Sequence, residues 1–256
     1  MSSHTHLEAG TGKVPVTSIL GVEVSKLDMR GTVEVLERAV ASGLPHQVIT
    51  ANPIMIMAAL ESEDNMRAMR EAELIVPDGA GVVWAAEQFG DPVAERVAGF
   101  DLLHELMKRG EQLGWSAYLL GAAEEVVQEA ASRLQKQYPK VRIVGVRNGY
   151  FGEPENAGVI EAIREAKPDL LFVARDAKTQ EPWIARHKHE LGVPVIMGVG
   201  GSFDVISGKT KRAPVFMQKL KLEWFYRLAK EPSRLPRMMA LPRFMRVVKK
   251  TKKKDK

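Results

Sequence analysis

The chain has no cysteine at all. That excludes disulfides, thiolate nucleophiles and cysteine-ligated zinc, and it is compatible with a reducing compartment. No Asp-x-Asp pair occurs either. The short carboxylate motif that would hold a divalent ion against a nucleotide diphosphate is therefore missing, and no metal site and no cofactor are expected. No stretch of about 18 uncharged apolar residues exists that would cross a bilayer, and the opening MSSHTHLEAGTGK lacks the apolar segment of a signal peptide. The expectation is a cytoplasmic protein. A Gly-x-Gly-x-x-Gly turn after an early strand is absent, as is the acidic residue that would take a ribose, which argues against a dinucleotide-dependent oxidoreductase. The Gly198–Gly201 run (GVGG) could cradle phosphates but lacks the Lys-Ser/Thr ending of a P-loop. Nor do histidines suggest a metal: His187 and His189 stand two apart, on different faces of a helix, and His4 and His6 lie in an N-terminal arm.

What is present is charge of two signs, separated along the chain. Residues 209–256 hold 17 of the 37 Lys and Arg and only three acids, Glu223, Glu231 and Asp255, a balance of +14. The preceding residues keep 20 bases against 29 acids, a balance of −9. The basic segment is also greasy, with Phe216, Trp224, Phe225, Tyr226, Leu235, Met239, Phe244 and Met245 among its cations. Cationic and apolar residues interleaved with Trp and Tyr suit an anionic membrane surface, where apolar side chains enter the acyl boundary and Lys/Arg meet the headgroups. A nucleic-acid patch has little use for so much Leu, Met and Phe, and no nucleic-acid partner is expected; the plainer alternative is a helical subdomain with solvated lysines. Prolines 214, 232, 236 and 242 divide the segment into short helices, each too short to be stable in water alone. Their apolar faces must pack on the core, on another subunit of a homo-oligomer, or on lipid. The terminal KKTKKKDK reads as a mobile arm.

Three parts are thus expected: an N-terminal arm over residues 1–15, an α/β core over 16–208, and a membrane-associating helical appendage over 209–256. Within the core, short β-branched runs alternate with longer helical patterns, which predicts a Rossmann-like, doubly wound, mostly parallel sheet covered on both faces. Strands are expected at residues 17–24, 47–50, 74–76, 117–120, 142–146, 170–173 and 195–197, with helices over 32–41, 124–137 and 156–166 among others. Residues 99–114 read as the connection between two halves.

Ligands of such sheets sit outside the carboxyl ends of the strands, so the loops there carry the chemistry. Thr50-Ala51-Asn52-Pro53 follows one strand: Asn52 can N-cap the next helix with Pro53 in its first turn, or Thr50 and Asn52 can face a ligand in the cleft. Pro77-Asp78-Gly79-Ala80-Gly81 follows the next, where Gly79 and Gly81 would let the backbone approach a ligand at a helix N-terminus. Asp78, the lone carboxylate of that loop, either caps the helix or serves as a general base. Arg96 is a candidate clamp for phosphate or carboxylate, or pairs structurally with Glu95 or Asp101. A fourth loop runs from Ala174 to Glu181 and includes Gln180.

The segments TANP, PDGAGVVWA, ERVAGFDLL, NGYF, KTQEPWIA, GVGGSFD, GKTKRAP and LEWFYRLAKEPSRLPR appear in the order seen in the WecG/TagA/CpsF family of bacterial glycosyltransferases, and the chain resembles that family from about residue 19 to about residue 242. The resemblance implies an inverting, metal-independent transfer of a sugar from a UDP-sugar to polyprenyl-diphosphate-linked GlcNAc at the inner face of the bacterial membrane. Its TagA branch implies N-acetylmannosamine, added in β-1,4 linkage during wall teichoic acid linkage-unit synthesis. Other branches imply UDP-N-acetylmannosaminuronic acid or UDP-glucose as donors. Carried over motif by motif, Asp78 resembles the base that takes the acceptor proton, with Thr50 beside it in the catalytic set. Asn52, Gly79, Gly81, Arg96 and Gln180 resemble substrate contacts, and Arg227, Arg234 and Arg237 resemble the cations that hold the UDP diphosphate. Fixed guanidiniums are chemically apt there, since without a metal they must offset the charge on a departing diphosphate. One loop departs from the family's usual G-x-P-K-Q-E: here Arg175, Asp176 and Thr179 stand in and around those places. That leaves Asp176 two kinds of partner, a neighbour such as Arg175 or Lys178, or an arginine that the donor would otherwise engage.

Overall fold

The structure, a computed structural model, describes residues 8–9, 12–176, 178–214, 217, 223–230 and 235–254. After a two-residue ladder, β1 (Glu8–Ala9) with β2 (Gly12–Lys13), come β3 (Val16–Ile19), β4 (Val22–Ser25), α1 (Met29–Ser42), β5 (His46–Ala51), α2 (Pro53–Glu61), α3 (Glu63–Glu71), β6 (Leu74–Pro77), α4 (Ala80–Gln88) and α5 (Gly99–Leu113). The second half adds β7 (Ser116–Gly121), α6 (Glu124–Gln137), β8 (Arg142–Arg147), α7 (Glu153–Ala166), β9 (Leu170–Ala174), α8 (Gln180–Leu191), β10 (Val195–Gly198) and α9 (Ser202–Ile206). Beyond it lie α10 (Glu223–Lys230), α11 (Leu235–Met238) and α12 (Ala240–Lys254).

Six strands form one sheet in the order β6-β5-β10-β9-β7-β8, and each neighbouring pair is parallel. Parallel strands buried on both faces read as continuous apolar runs, and their alternate residues feed two cores. On β9, Leu170, Phe172 and Ala174 join α1, α5, α6 and α9 on one face, while Leu171 and Val173 join α7 and α8 on the other. On β5, Val48 faces the first cluster and Ile49 and Ala51 face a third, built with α2, α3 and α4. The doubly wound expectation holds, and residues 99–114, read as a connection, form the long helix α5.

Two expectations change. The single strand over 17–24 is a hairpin, β3 with β4, turned by Leu20 (φ 54°) and Gly21 (φ 85°). Both turn residues have positive φ, the geometry of a two-residue loop matched to strand twist. Its apolar side chains Ile19, Val22 and Val24 pack into the α2–α4 cluster and never enter the main sheet. The terminal lysines, expected in a mobile arm, continue α12 as far as Lys254. The reason is packing: Phe244 and Val248, four apart on one helix face, are buried in the cluster that also holds Ile56 and Val82.

Candidate active site

Asp78, Thr50, Asn52, the Gly198–Gly201 run and Gln180 stand at or just beyond the carboxyl ends of four neighbouring strands, β6, β5, β10 and β9. With strands about 4.8 Å apart, this row spans roughly 14 Å. The first two loops lock together. The Asp78 N–H donates to Ala51 O at 2.9 Å, and Asn52 Oδ1 caps α2 by accepting from Ile54 N (3.0 Å) and Met55 N (3.1 Å). The capping reading of Asn52 is therefore real. Gly79 and Gly81 are needed for packing: a Cβ on Gly81 would fall 2.6 Å from Pro53 Cγ, and one on Gly79 would fall 3.0 Å from Pro53 Cδ. Thr50 buttresses the start of α5 in the same way, since a Cβ on Gly99 would meet its Oγ1 at 2.9 Å.

The N-cap position of α4 belongs to Gly79, which has no side chain to cap with, and Asp78 stands just before it. Its Oδ1 faces the Arg96 guanidinium, with Nε at 3.8 Å, and each side chain is about one quarter exposed. Both structural partners considered for Arg96 are engaged elsewhere. Glu95 accepts from Met29 N at 2.6 Å, and Asp101 holds Arg212 through two bonds of 2.6 and 2.8 Å. A carboxylate at a strand end, set beside a guanidinium, has the makings of a general base next to an anion-binding group.

At the other end of the row the β9–α8 loop is tied to itself. The Gln180 side chain, buried, accepts from Arg175 N (3.1 Å) and Gly200 N (3.3 Å) and donates to Glu181 Oε1 (2.7 Å). Glu181 Oε2 accepts from Gln47 Nε2 at 2.9 Å. Gly198 leaves room for this cluster, because a Cβ there would lie 2.2 Å from both Gln180 Nε2 and Glu181 Oε1. The glycine run thus backs Gln180. Burial pushes the Glu181 carboxyl above the ordinary glutamate range, against the lowering effect of its bonds from Gln180 and Gln47.

The appendage reaches this loop through one of its three singled-out arginines. Arg237 Nη2 donates to Asp176 Oδ2 at 2.9 Å. Arg227 lies in α10 with its side chain outside the described residues, as is Arg234 altogether. Sequence reasoning missed two cationic contacts. Arg212 clasps Asp101 and lies over Phe100 at 4.5 Å, fixing the start of the appendage to α5. Arg175 stacks on Phe151 at 4.2 Å and near Trp183 at 5.7 Å. Membership of Arg212 and Asp101 in two of the quoted motifs was the available signal, but motifs so far apart fix no contact.

Among the described residues no group of His, Asp and Glu converges as a metal-binding cluster, and no helix is long and apolar enough to cross a membrane. Trp224, Phe225, Leu235, Met239 and Met245 are exposed on the appendage. On α12, Met245 shares the exposed surface with Arg246, Lys249, Lys250 and Lys253.

Residues 17–256 match the family described as Glycosyl transferase WecG/TagA/CpsF. An N-acetylglucosaminyldiphosphoundecaprenol N-acetyl-beta-D-mannosaminyltransferase of Staphylococcus aureus is 35% identical over 250 residues, 97% of this chain and 96% of that protein. Its counterpart of the same name in Bacillus spizizenii is 35% identical over 201 residues, covering 78% of this chain and 77% of that one.

Proposed function

The chain belongs to the WecG/TagA/CpsF family of glycosyl transferases, and from that premise we propose that it moves N-acetylmannosamine from UDP-N-acetylmannosamine to undecaprenyl-diphosphate-linked GlcNAc, as in the linkage unit of wall teichoic acid. The observation that carries the chemistry is Asp78, placed at the end of β6, just before the α4 N-cap, and facing Arg96. In this reading Asp78 takes the proton of the acceptor hydroxyl as that oxygen attacks the anomeric carbon from the side opposite the diphosphate. The C–O bond to UDP breaks, the configuration inverts, and the electron pair leaves on the diphosphate. Thr50 and Asn52 line the sugar's end of the row. Arg237, with Arg227 and Arg234, offsets the charge that grows on the departing diphosphate, a role that fixed guanidiniums perform without a metal.

The acceptor is a lipid, and the outward face of α12 suits its surroundings. Apolar Met245 beside Lys249, Lys250 and Lys253 fits an anionic bilayer, in keeping with a peripheral position on the inner membrane face. Measuring UDP release from a panel of UDP-sugars with a lipid-linked GlcNAc analogue tests the reading. UDP-N-acetylmannosamine should be turned over at an initial rate that excess EDTA leaves intact. No release with that donor, or activity lost to EDTA and restored by magnesium, would refute the donor or the division of labour respectively. Liposome flotation tests the surface: replacing Lys249, Lys250 and Lys253 by Gln should weaken binding to anionic vesicles by about 1 kcal/mol per lysine. Turnover on a soluble acceptor analogue should be spared.

A further inference from the structure

The β9–α8 loop reads Arg175-Asp176-Ala177-Lys178-Thr179, so Asp176 is its sole acid between two cations. The loop holds that carboxylate firmly in place. Asp176 Oδ1 accepts from Lys178 N at 3.0 Å, and its backbone carbonyl accepts from Thr179 N (3.0 Å) and Gln180 N (2.9 Å), which starts α8. The remaining oxygen, Oδ2, is the one that receives the Arg237 guanidinium. Arg237 comes from α11, a helix of four residues with a proline inside it, and its side chain is 63% exposed against 49% for Asp176. An anchored acid therefore meets a cation on a slight support, in a setting open to water. Such a pair is weak and exchanges readily for a stronger anion.

We propose that Asp176 is an internal stand-in for the donor's diphosphate: in the empty enzyme it occupies Arg237 and docks α11 at the β9–α8 loop, and a nucleoside diphosphate displaces it on binding. The proposal rests on the reading of Arg237 as a diphosphate-binding cation. Asp176 is a positioning residue in this scheme, acting through Arg237. A diphosphate offers more negative charge and more acceptor oxygens than one carboxylate, so the exchange runs toward the ligand, with Arg175 and Lys178 adding to the local positive field. Asp176 opposes binding by as much as its own pair is worth, and it keeps α11 in place while the site is empty.

The test is a double-mutant cycle on the full chain with UDP as the probe, read by titration calorimetry. Asp176→Asn preserves the shape and the acceptor for Lys178 N while removing the charge. It should bind UDP about two- to fivefold more tightly, the range that an exposed ion pair supports. The gain should shrink at high salt, and it should vanish in an Arg237→Ala background. In the absence of UDP, Asp176→Asn should raise amide exchange across residues 235–238. Equal or weaker UDP binding by Asp176→Asn, or the same gain without Arg237, overturns the stand-in while leaving the proposed transfer reaction standing. A wild-type chain that binds no UDP overturns both.

Discussion

The loop after β6 and the loop after β9 open on the same side of one parallel sheet, with β5 and β10 between them, yet they treat their carboxylates in opposite ways. Asp78 stands just before the glycine N-cap of its helix and faces Arg96, and the neighbouring glycines lie close against Pro53. Asp176 is bound into its own turn by Lys178 N, and its free-standing oxygen goes to a distant arginine. Behind it, Gln180 and Glu181 close a buried polar cluster that joins β9, β10 and β5. One loop sets its carboxylate beside a guanidinium; the other ties its carboxylate into its own turn and rests on the buried polar cluster behind it. Activity should therefore be concentrated at the first and stability at the second.

The sharpest way to break that contrast is Asp78→Asn. The amide keeps the size of the side chain and leaves the N-cap of α4, Gly79, unchanged. Turnover should fall by about two to four orders of magnitude, the usual range for general acid–base assistance. Thermal unfolding should stay close to wild type, since the charge lost faces Arg96 across a partly exposed pair, and such pairs contribute little. Near-normal turnover, or a large fall in Tm with the lost activity, would erase the distinction between the loops.

Gln180→Ala probes the opposite end. It strips the acceptor from the Arg175 and Gly200 N–H groups and the donor from Glu181 Oε1. Leaving buried polar groups unsatisfied costs about 1–3 kcal/mol, which for a chain of this size lowers Tm by about 2–4 °C per kcal/mol. A variant with unchanged Tm and activity reduced as deeply as in Asp78→Asn would make Gln180 a direct catalytic group and not a brace.

Much of this arrangement is legible in the sequence wherever the signal is local. The runs LIV, YLL, LLFV and VIM at 74–76, 118–120, 170–173 and 195–197 announce buried parallel strands, and Asn52-Pro53 announces a capped helix start, because each depends on adjacent residues alone. The hairpin was hidden because Leu20-Gly21 lacks the Asn-Gly or Asp-Gly signature of its turn. Gly79 and Gly81 pointed to close approach, but whether to ligand or to Pro53 depends on a contact across two strands. The charges were least legible. Asp101 took Arg212 across 111 positions and Asp176 took Arg237 across 61, separations at which spacing says nothing and only the closed fold selects the partner.

The smallest effect concerns the buried acid behind the β9–α8 loop. Burial raises the Glu181 carboxyl above its ordinary range despite hydrogen bonds from Gln180 and Gln47. A folded-state value above the unfolded one means that the native chain holds the proton more tightly. The stabilisation from that proton is full below the unfolded glutamate range and is lost as pH rises through the folded value. Wild-type stability should therefore carry a downward component as pH climbs above the ordinary glutamate range, and Glu181→Gln, which carries no titrating proton, should lack it. Among the described residues Gln47 Oε1 is buried without a hydrogen-bond partner, so a protonated Glu181 has an acceptor at hand if the Gln47 amide turns over, an orientation that hydrogen-bond networks decide. Denaturation curves for both proteins across the acid-to-neutral range separate the outcomes. Parallel pH profiles would mean that Glu181 titrates alike in the folded and unfolded chains, and a wild-type stability that rises with pH would mean that the two amide donors hold a buried anion there and not a buried acid.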